Sequence, residues 1–254
     1  MCPKMQAPNR NSRNKLIFAL DLGENIDETI AWVDLLKDHV GMFKVGKEAF
    51  TSFGPSVVRG IIERGGSVFL DLKFHDIPNT VAMTSEAAVK LGVSMFNIHA
   101  LGGSEMMERA VDSVNNTARV MGVVPPVLLA VTVLTSLDDS DLEEIGFKCS
   151  TRELALKLAV AARDAGVSGV VASARDVIPI REACGKDFII VTPGIRLDSK
   201  VKVAGDDQKR VLTPRDAIIM GADYIVVGRP IRLADDPVAA ADRITEEISE
   251  GLAH

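Results

Sequence analysis

Short aliphatic runs of strand length recur along the chain, separated by stretches long enough to hold a helix. There are eight of them, at residues 16–21, 42–46, 67–73, 94–100, 127–134, 169–173, 188–192 and 224–228. Such aliphatic runs are typical of parallel strands that are covered on both faces. The pattern therefore predicts eight parallel strands surrounded by helices.

The segments between these runs repeat apolar residues at helical spacing. In residues 27–38, for example, Ile30, Val33, Leu35 and Leu36 are predicted to share one face. This alternation can build a closed (β/α)8 barrel (a TIM barrel) or a doubly wound open sheet. Eight units without a change in composition, and no Gly-x-Gly-x-x-Gly after the first strand, favour the barrel. We expect one barrel domain over residues 15–254.

Composition and charge narrow the setting in which such a barrel works. Residues 1–14 are polar and lack the apolar core of a secretory signal, so they are predicted to be a disordered extension. No apolar run approaches the roughly 20 residues needed to cross a bilayer. The cysteines Cys2, Cys149 and Cys184 show no Cys-x-x-Cys spacing, which favours reduced thiols and a cytoplasmic location. A net charge of -6 argues against a nucleic-acid partner.

Charged and polar residues stand where the predicted strands end. They are Asp21, Lys44, Asp71, Lys73, His99, Thr135 and Arg229. Active sites of barrel enzymes lie at the carboxyl ends of the strands, so this set predicts a catalytic centre. Asp71 and Lys73 are two residues apart and therefore share a strand face. Because buried charges must be paired, Asp76 is the candidate that would bring Lys44, Asp71 and Lys73 to a neutral sum. A purely structural ion-pair network is the alternative.

The last two strand ends indicate a phosphate site. Gly228 and Arg229 follow the eighth strand, and Thr-Pro-Gly-Ile-Arg at residues 192–196 follows the seventh. Two connections are longer than usual, at residues 135–150 and 194–213. The second carries Arg196 and Gln208 and is predicted to be a mobile lid, with a neutral surface insertion as the alternative.

Residues 69–81, Phe-Leu-Asp-Leu-Lys-Phe-His-Asp-Ile-Pro-Asn-Thr-Val, resemble the Asp-x-Lys-x-x-Asp-Ile-Pro-x-Thr motif of the orotidine 5'-monophosphate decarboxylase family. Further resemblance to this family follows in chain order over the whole barrel, at residues 18–21, 43–46, 131–136, 192–196 and 227–229. The resemblance implies cofactor-free decarboxylation of orotidine 5'-monophosphate to UMP and CO2, the last step of de novo UMP synthesis.

The resemblance also implies a role for individual residues. Lys73 would protonate C6 of the pyrimidine within a catalytic array of Lys44, Asp71, Lys73 and Asp76. The resemblance implies a homodimer in which Asp76 of each subunit reaches into the partner's site. In the implied substrate-binding set, Asp21 and Lys44 hold the ribose, Asp71 belongs to the array, and Ile77 and Thr80 come from the partner. Thr135 (or, less favoured, Ser136) touches the pyrimidine. Arg196, Gln208, Gly228 and Arg229 bind the phosphate or close the lid, and Pro193, in the segment after the seventh strand, also binds the substrate. His99 would pack near the base without a catalytic role.

Other functions remain open at this point. A magnesium-dependent sugar-phosphate decarboxylase or aldolase of the same superfamily also resembles Asp-x-Lys-x-x-Asp, but lacks the Ile-Pro-x-Thr that follows. A catalytically silent barrel that binds a phosphorylated ligand is a second alternative. A zinc hydrolase is disfavoured, because the four histidines show neither His-x-His nor His-Glu-x-x-His spacing. No cofactor and no metal are expected.

Overall fold

The computed structural model describes residues 10–22, 24–195 and 212–254. Eight parallel strands are hydrogen-bonded in chain order, and the eighth pairs with the first to close a barrel. The strands are β1 (Leu16–Leu20), β2 (Met42–Gly46), β3 (Val68–Phe74), β4 (Met95–His99), β5 (Val127–Val131), β6 (Gly169–Val171), β7 (Ile189–Pro193) and β8 (Tyr224–Val227). The predicted (β/α)8 barrel is confirmed, and the open sheet is excluded.

The helices form the outer layer. They are α1 (Arg10–Arg13), α2 (Ile26–Leu36), α3 (Lys47–Phe53), α4 (Pro55–Glu63), α5 (Pro78–Leu91), α6 (Ser104–Met121), α7 (Asp139–Glu144), α8 (Thr151–Asp164), α9 (Val177–Cys184), α10 (Pro214–Ile219), α11 (Arg229–Arg232) and α12 (Pro237–Leu252). None of these described helices is long and apolar enough to span a membrane.

Each strand contributes to two separate cores because successive side chains point to opposite faces. One face packs under the helices, as Leu16, Phe18 and Leu20 do in β1. The other face fills the barrel interior, as Ile17 and Ala19 do. The interior core continues with Phe69, Met95, Leu129, Val191 and Val226. The strands are therefore buried on both sides, which explains why they appear in the sequence as unbroken aliphatic runs.

One predicted helix face is wrong by a single residue. In α2, Val33 and Leu36 are buried and Ile30 is half-buried, as expected, but Leu35 is 45% exposed. Adjacent residues on an α-helix are about 100° apart, so Leu35 cannot share the buried stripe that Leu36 occupies. Asn25 caps the start of this helix, because its side chain accepts a hydrogen bond from the backbone N–H of Asp27 at 2.8 Å.

The packed structure also begins earlier than residue 15. The expected disorder of residues 1–14 does not hold for its last part, since residues 10–13 form α1, which contacts α12 and buries Ser12. Asn14 backs directly onto Gly41, where a Cβ atom would lie 2.5 Å from the Asn14 Cα. Residues 1–9 lie outside the described part of the chain.

Two long connections follow strands at the carboxyl end of the barrel. The first, residues 135–150, contains α7, which Asp138 caps in a reciprocal capping box with Asp141. The second, residues 194–213, lies largely outside the described residues. Its flanks, Ile195 and Leu212, pair as an isolated parallel bridge. Both ends of this connection are therefore held together beside β7.

Candidate active site

Polar side chains replace apolar ones at the carboxyl ends of three neighbouring strands. In each of these strands the polar residue comes two positions after a residue that packs in the barrel interior, so its side chain also points inward. The pairs are Met42 and Lys44, Phe69 and Asp71, and Met95 and Asn97. A cavity of about 170 Å³ opens above the barrel interior at this level. Its lining includes Lys44, Asp71, Lys73, Thr135, Pro193 and Val226. The fold thus gathers charged groups from distant parts of the chain around one cavity.

Lysines and aspartates alternate in sign across the cavity. Lys44 Nζ lies 3.0 Å from Asp21 Oδ1 and 3.6 Å from Asp71 Oδ2. Lys73 Nζ lies 2.6 Å from Asp71 Oδ1. The side chains of Lys44 and Asp71 are only 12% and 14% exposed, so their charges lie in a largely desolvated place where pairing is required. The predicted proximity of Lys44, Asp71 and Lys73 holds.

The carboxylates around Lys44 keep its ammonium charged despite burial. Burial lowers the pKa of the Lys44 ammonium, but the charges of Asp21 and Asp71 and their hydrogen bonds outweigh it, so the net direction is upward. Lys44 therefore carries a full positive charge beside Asp71. Among the described residues of this chain, Asp21 rather than Asp76 supplies the second negative charge that balances the two lysines.

Asp76, Ile77 and Thr80 lie outside this cavity, at the start of α5. All three are exposed, and Asp76 Oδ1 accepts a hydrogen bond from the Ile77 N–H at 2.7 Å. Among the described residues of its own chain, Asp76 makes no ion pair. Ile77 is 67% exposed, and Met83, six residues further along the chain in α5, is 65% exposed. Within the described part of the chain, none of the three predicted site residues lines the cavity or joins the ion pairs around it.

Asn97 is a site residue that the sequence interpretation missed. Its side chain is fully buried, donates to Asp71 Oδ1 at 2.7 Å and accepts from the Lys73 N–H at 2.8 Å. The signal that could have revealed it is an amide two residues after Met95 on the inward face of an otherwise apolar strand.

A pair of stacked imidazoles borders the charged cluster. The rings of His75 and His99 have centroids 5.2 Å apart, and His99 is 9% exposed. Burial, with smaller contributions from His75, Lys73 and Lys47, lowers the pKa of His99 from 6.5 to about 4. Its Nδ1 accepts the Leu101 N–H at 3.4 Å, an arrangement that only a ring unprotonated at that nitrogen can make. His99 is therefore a neutral group beside Lys73.

Those of the remaining predicted binding residues that the structure describes lie around the same mouth. Thr135 and Pro193 line the cavity, whereas Ser136 is not among its described lining residues. Gly228 directly follows β8, and a Cβ atom added to it would lie 3.2 Å from the Ala19 Cβ. Arg229 begins α11 directly afterwards. Arg196 and Gln208 lie outside the described residues.

Comparisons with known proteins give the family. The model of the "Orotidine 5'-phosphate decarboxylase / HUMPS" family matches residues 14–244. The chain is 62% identical to the orotidine 5'-phosphate decarboxylase of Syntrophus aciditrophicus, over 96% of each chain. It is 52% identical to the enzyme of that name from Geotalea daltonii, over 94% of this chain and 98% of the relative. The crystal structure of orotidine 5'-phosphate decarboxylase from Lactobacillus acidophilus superposes with a TM-score of 0.80 at 39% identity, covering 91% of this chain and 97% of that one.

These matches extend over nearly the whole barrel and include the strands that bring Asp21, Lys44, Asp71 and Lys73 together. The chain belongs to the orotidine 5'-phosphate decarboxylase / HUMPS family.

Proposed function

We propose that this protein decarboxylates orotidine 5'-monophosphate to UMP and CO2 without a cofactor, as the last step of de novo UMP synthesis in the cytoplasm. The observation that carries the proposal is the contact of 2.6 Å between Lys73 Nζ and Asp71 Oδ1 at a cavity in the barrel mouth. The names of relatives at 52% and 62% identity support the same activity.

Loss of CO2 leaves a carbanion at C6 with no neighbouring group that can absorb the electron pair. The Lys73 ammonium supplies a positive charge close to that carbon and then the proton that replaces the carboxylate. Because Asp71 holds the ammonium before the reaction starts, its orientation need not be reorganised during the chemical step. Lys44 pairs with Asp71 from the opposite side, with its Nζ 3.6 Å from Asp71 Oδ2.

Charge stabilisation contributes more than repulsion of the substrate. If the substrate carboxylate lies about 4 Å from Asp71, at an effective dielectric constant near 20, repulsion raises the ground state by roughly 4 kcal/mol. Catalysis of very slow reactions requires barriers lowered by about 20 kcal/mol or more. Stabilisation of the carbanion by a preorganised ammonium in a closed site therefore supplies the larger share.

The other groups at the mouth bind the nucleotide. Asp21 and Lys44 hold the ribose hydroxyls, and Thr135 and Pro193 lie against the pyrimidine. Gly228 and Arg229, at the β8 end, bind the phosphate with Arg196 and Gln208. Phosphate held at a distance from C6 provides binding energy for closing the site.

The working unit is a homodimer in which each subunit completes the other's site. Asp76, Ile77 and Thr80 are exposed in the isolated subunit, and Asp76 has no ionic partner among its described residues. Contributed by the partner, Asp76 adds a second carboxylate near Lys73, and Ile77 and Thr80 cover the base.

A spectrophotometric assay on orotidine 5'-monophosphate in the presence of EDTA tests the activity. The wild-type protein should show loss of substrate absorbance at a rate that EDTA does not change. Inhibition by EDTA would instead favour the magnesium-dependent alternative. Lys73→Ala should abolish nearly all turnover while it retains UMP binding, and Lys90→Ala, at an exposed lysine on α5, is the matched control. Activity of Lys73→Ala within about tenfold of the wild type would refute the role of proton donor.

Subunit mixing tests the shared site. Lys73→Ala and Asp76→Asn subunits, each nearly inactive alone, are co-expressed. In a shared-site dimer, the mixed species has one site with both Lys73 and Asp76 intact, so random pairing restores about a quarter of the wild-type activity. If both residues served the same subunit, no intact site would form. Absence of recovery in a sample shown to contain mixed dimers would refute sharing.

A further inference from the structure

Asn97 connects the two central catalytic groups through a single side chain. Its Nδ2 donates to Asp71 Oδ1 at 2.7 Å, and its Oδ1 accepts the backbone N–H of Lys73 at 2.8 Å. A carboxylate can only accept and a backbone N–H can only donate, so these partners fix the orientation of the amide. With the side chain fully buried, both of its polar atoms are used inside the site.

The backbone that Asn97 holds is irregular. Lys73 has φ of 54°, in the left-handed region, and is the one non-glycine residue with positive φ in the described part of the chain. The pairing of β3 with β4 shifts register between Leu70 and Phe74, so Lys73 lies inside the irregularity. The Asn97 side chain therefore accepts an N–H that lies within an interrupted stretch of the ladder.

We propose that Asn97 is a positioning residue for decarboxylation: its amide holds the Lys73 backbone in the left-handed conformation and orients the Asp71 carboxylate. Asp71 Oδ1 receives both the Asn97 amide and the Lys73 ammonium, so the amide sets the carboxylate oxygen against which the ammonium lies. An uncharged side chain does this without changing the balance of charges among Asp21, Lys44, Asp71 and Lys73. The inference rests on the proposed function.

Thr132 provides a matched control for loss of a buried polar group. It follows β5 at the same end of the barrel, is fully buried, and its hydroxyl donates to the Val171 carbonyl at 3.1 Å. It is not among the described residues that line the cavity. Thr132→Val removes a buried hydrogen bond of comparable kind without touching Asp71 or Lys73.

The test compares Asn97→Ala, Asn97→Asp and Thr132→Val with the wild type for kcat, KM, UMP affinity and thermal unfolding. Misplacing a reacting group by about 1 Å costs about 100-fold in rate, which is the loss of kcat expected for Asn97→Ala. KM and UMP affinity should stay within about threefold, because ground-state contacts to the nucleotide remain. Thr132→Val should keep the wild-type kcat.

The pH dependence of kcat in Asn97→Asp distinguishes a positioning role from a purely structural one. The introduced carboxyl has the shape of the amide but lies beside Asp71, whose negative charge raises the pKa of the new group. Protonated, it can donate to Asp71 as the amide does; ionised, it repels Asp71. The ratio of its kcat to that of the wild type should therefore rise as pH falls, whereas the ratio for Asn97→Ala should be independent of pH.

The outcomes separate the two proposals. A wild-type protein that fails to decarboxylate orotidine 5'-monophosphate refutes the proposed function. An active wild type with Asn97→Ala within about threefold in kcat, or with Thr132→Val equally impaired, refutes the positioning role alone. Should Asn97→Ala not fold, the nearly isosteric Asn97→Asp carries the test, and a ratio that does not change with pH refutes the role.

Discussion

Acid should destabilise this protein through one buried imidazole, that of His99. Its pKa in the folded protein is about 4, against 6.5 ordinarily, chiefly because of burial. The folded state therefore favours the neutral ring, and the unfolded chain binds the proton more readily. The stability that this group contributes is complete above pH 6.5 and is lost as the pH falls toward 4.

The magnitude follows from the size of the shift. One pKa unit corresponds to about 1.4 kcal/mol, so the whole displacement corresponds to about 3 kcal/mol. Between pH 7 and pH 5 the part lost is about 2 kcal/mol. The Leu101 N–H gives an independent reason for the same direction, because protonation of Nδ1 removes the acceptor it uses.

Urea unfolding at pH 7 and pH 5 measures this loss. His99→Asn retains an acceptor near the Nδ1 position but cannot titrate, so its stability should fall by about 2 kcal/mol less than that of the wild type over the same interval. Thr132→Val, a buried substitution without a titrating group, should keep the wild-type pH dependence. An equal fall in the wild type and in His99→Asn would refute the reasoning.

Three further predictions concern the phosphate site, the space beside Lys44 and the opposite end of the barrel. Arg229→Ala should mainly raise KM, and inorganic phosphite should restore part of the rate on a substrate lacking the phosphate; steady-state kinetics without such rescue would count against the phosphate assignment. Gly46→Ala places a Cβ atom 3.1 Å from Lys44 Nζ, so kcat should fall by roughly tenfold with little change in melting temperature, and an unchanged kcat would show that the ion pair tolerates the shift. Arg181 donates to Asp223 and to the Phe188 carbonyl, both at 2.6 Å, so Arg181→Ala should lower the free energy of unfolding by about 3 kcal/mol in urea while leaving kcat unaltered; a fall in kcat would contradict its purely structural assignment.

The strands were predictable from the sequence because burial on both faces leaves a strong local signal. The predicted run at residues 42–46 matches β2, and the others differ from the observed strands by a few residues at their ends. The buried faces of the helices were less predictable. Leu35 and Leu36 are adjacent and equally apolar, yet Leu36 is buried and Leu35 is exposed. α1 escaped notice because four polar residues carry no apolar periodicity, and its order comes from contact with α12.

The charged site was predictable in its members but not in its geometry. Strand periodicity predicts that Asp71 and Lys73 share a face, and they do form an ion pair. The positive φ of Lys73 was not predictable, because a lysine rarely adopts that conformation. The position of Asn97, two residues after Met95, marks it as an inward-facing amide, but its contacts with Asp71 and Lys73 depend on the register of β4 against β3. The pairing of Lys44 with Asp21 likewise depends on the register of β1 against β2. Such tertiary register has no local signature in the chain.

At Lys73 the left-handed backbone costs folding stability, while the side chain is the proposed proton donor. A non-glycine residue held at positive φ costs about 1 kcal/mol or more, and glycine would adopt the same backbone without that cost. Removal of Lys73 therefore acts on stability in two directions, because it relieves the backbone strain but leaves the largely buried Asp71 carboxylate with Lys44 as its remaining ion-pair partner among the described residues. Lys73→Gly should therefore gain no net stability, and engineering of this enzyme for heat resistance has to find its gains away from the end of β3.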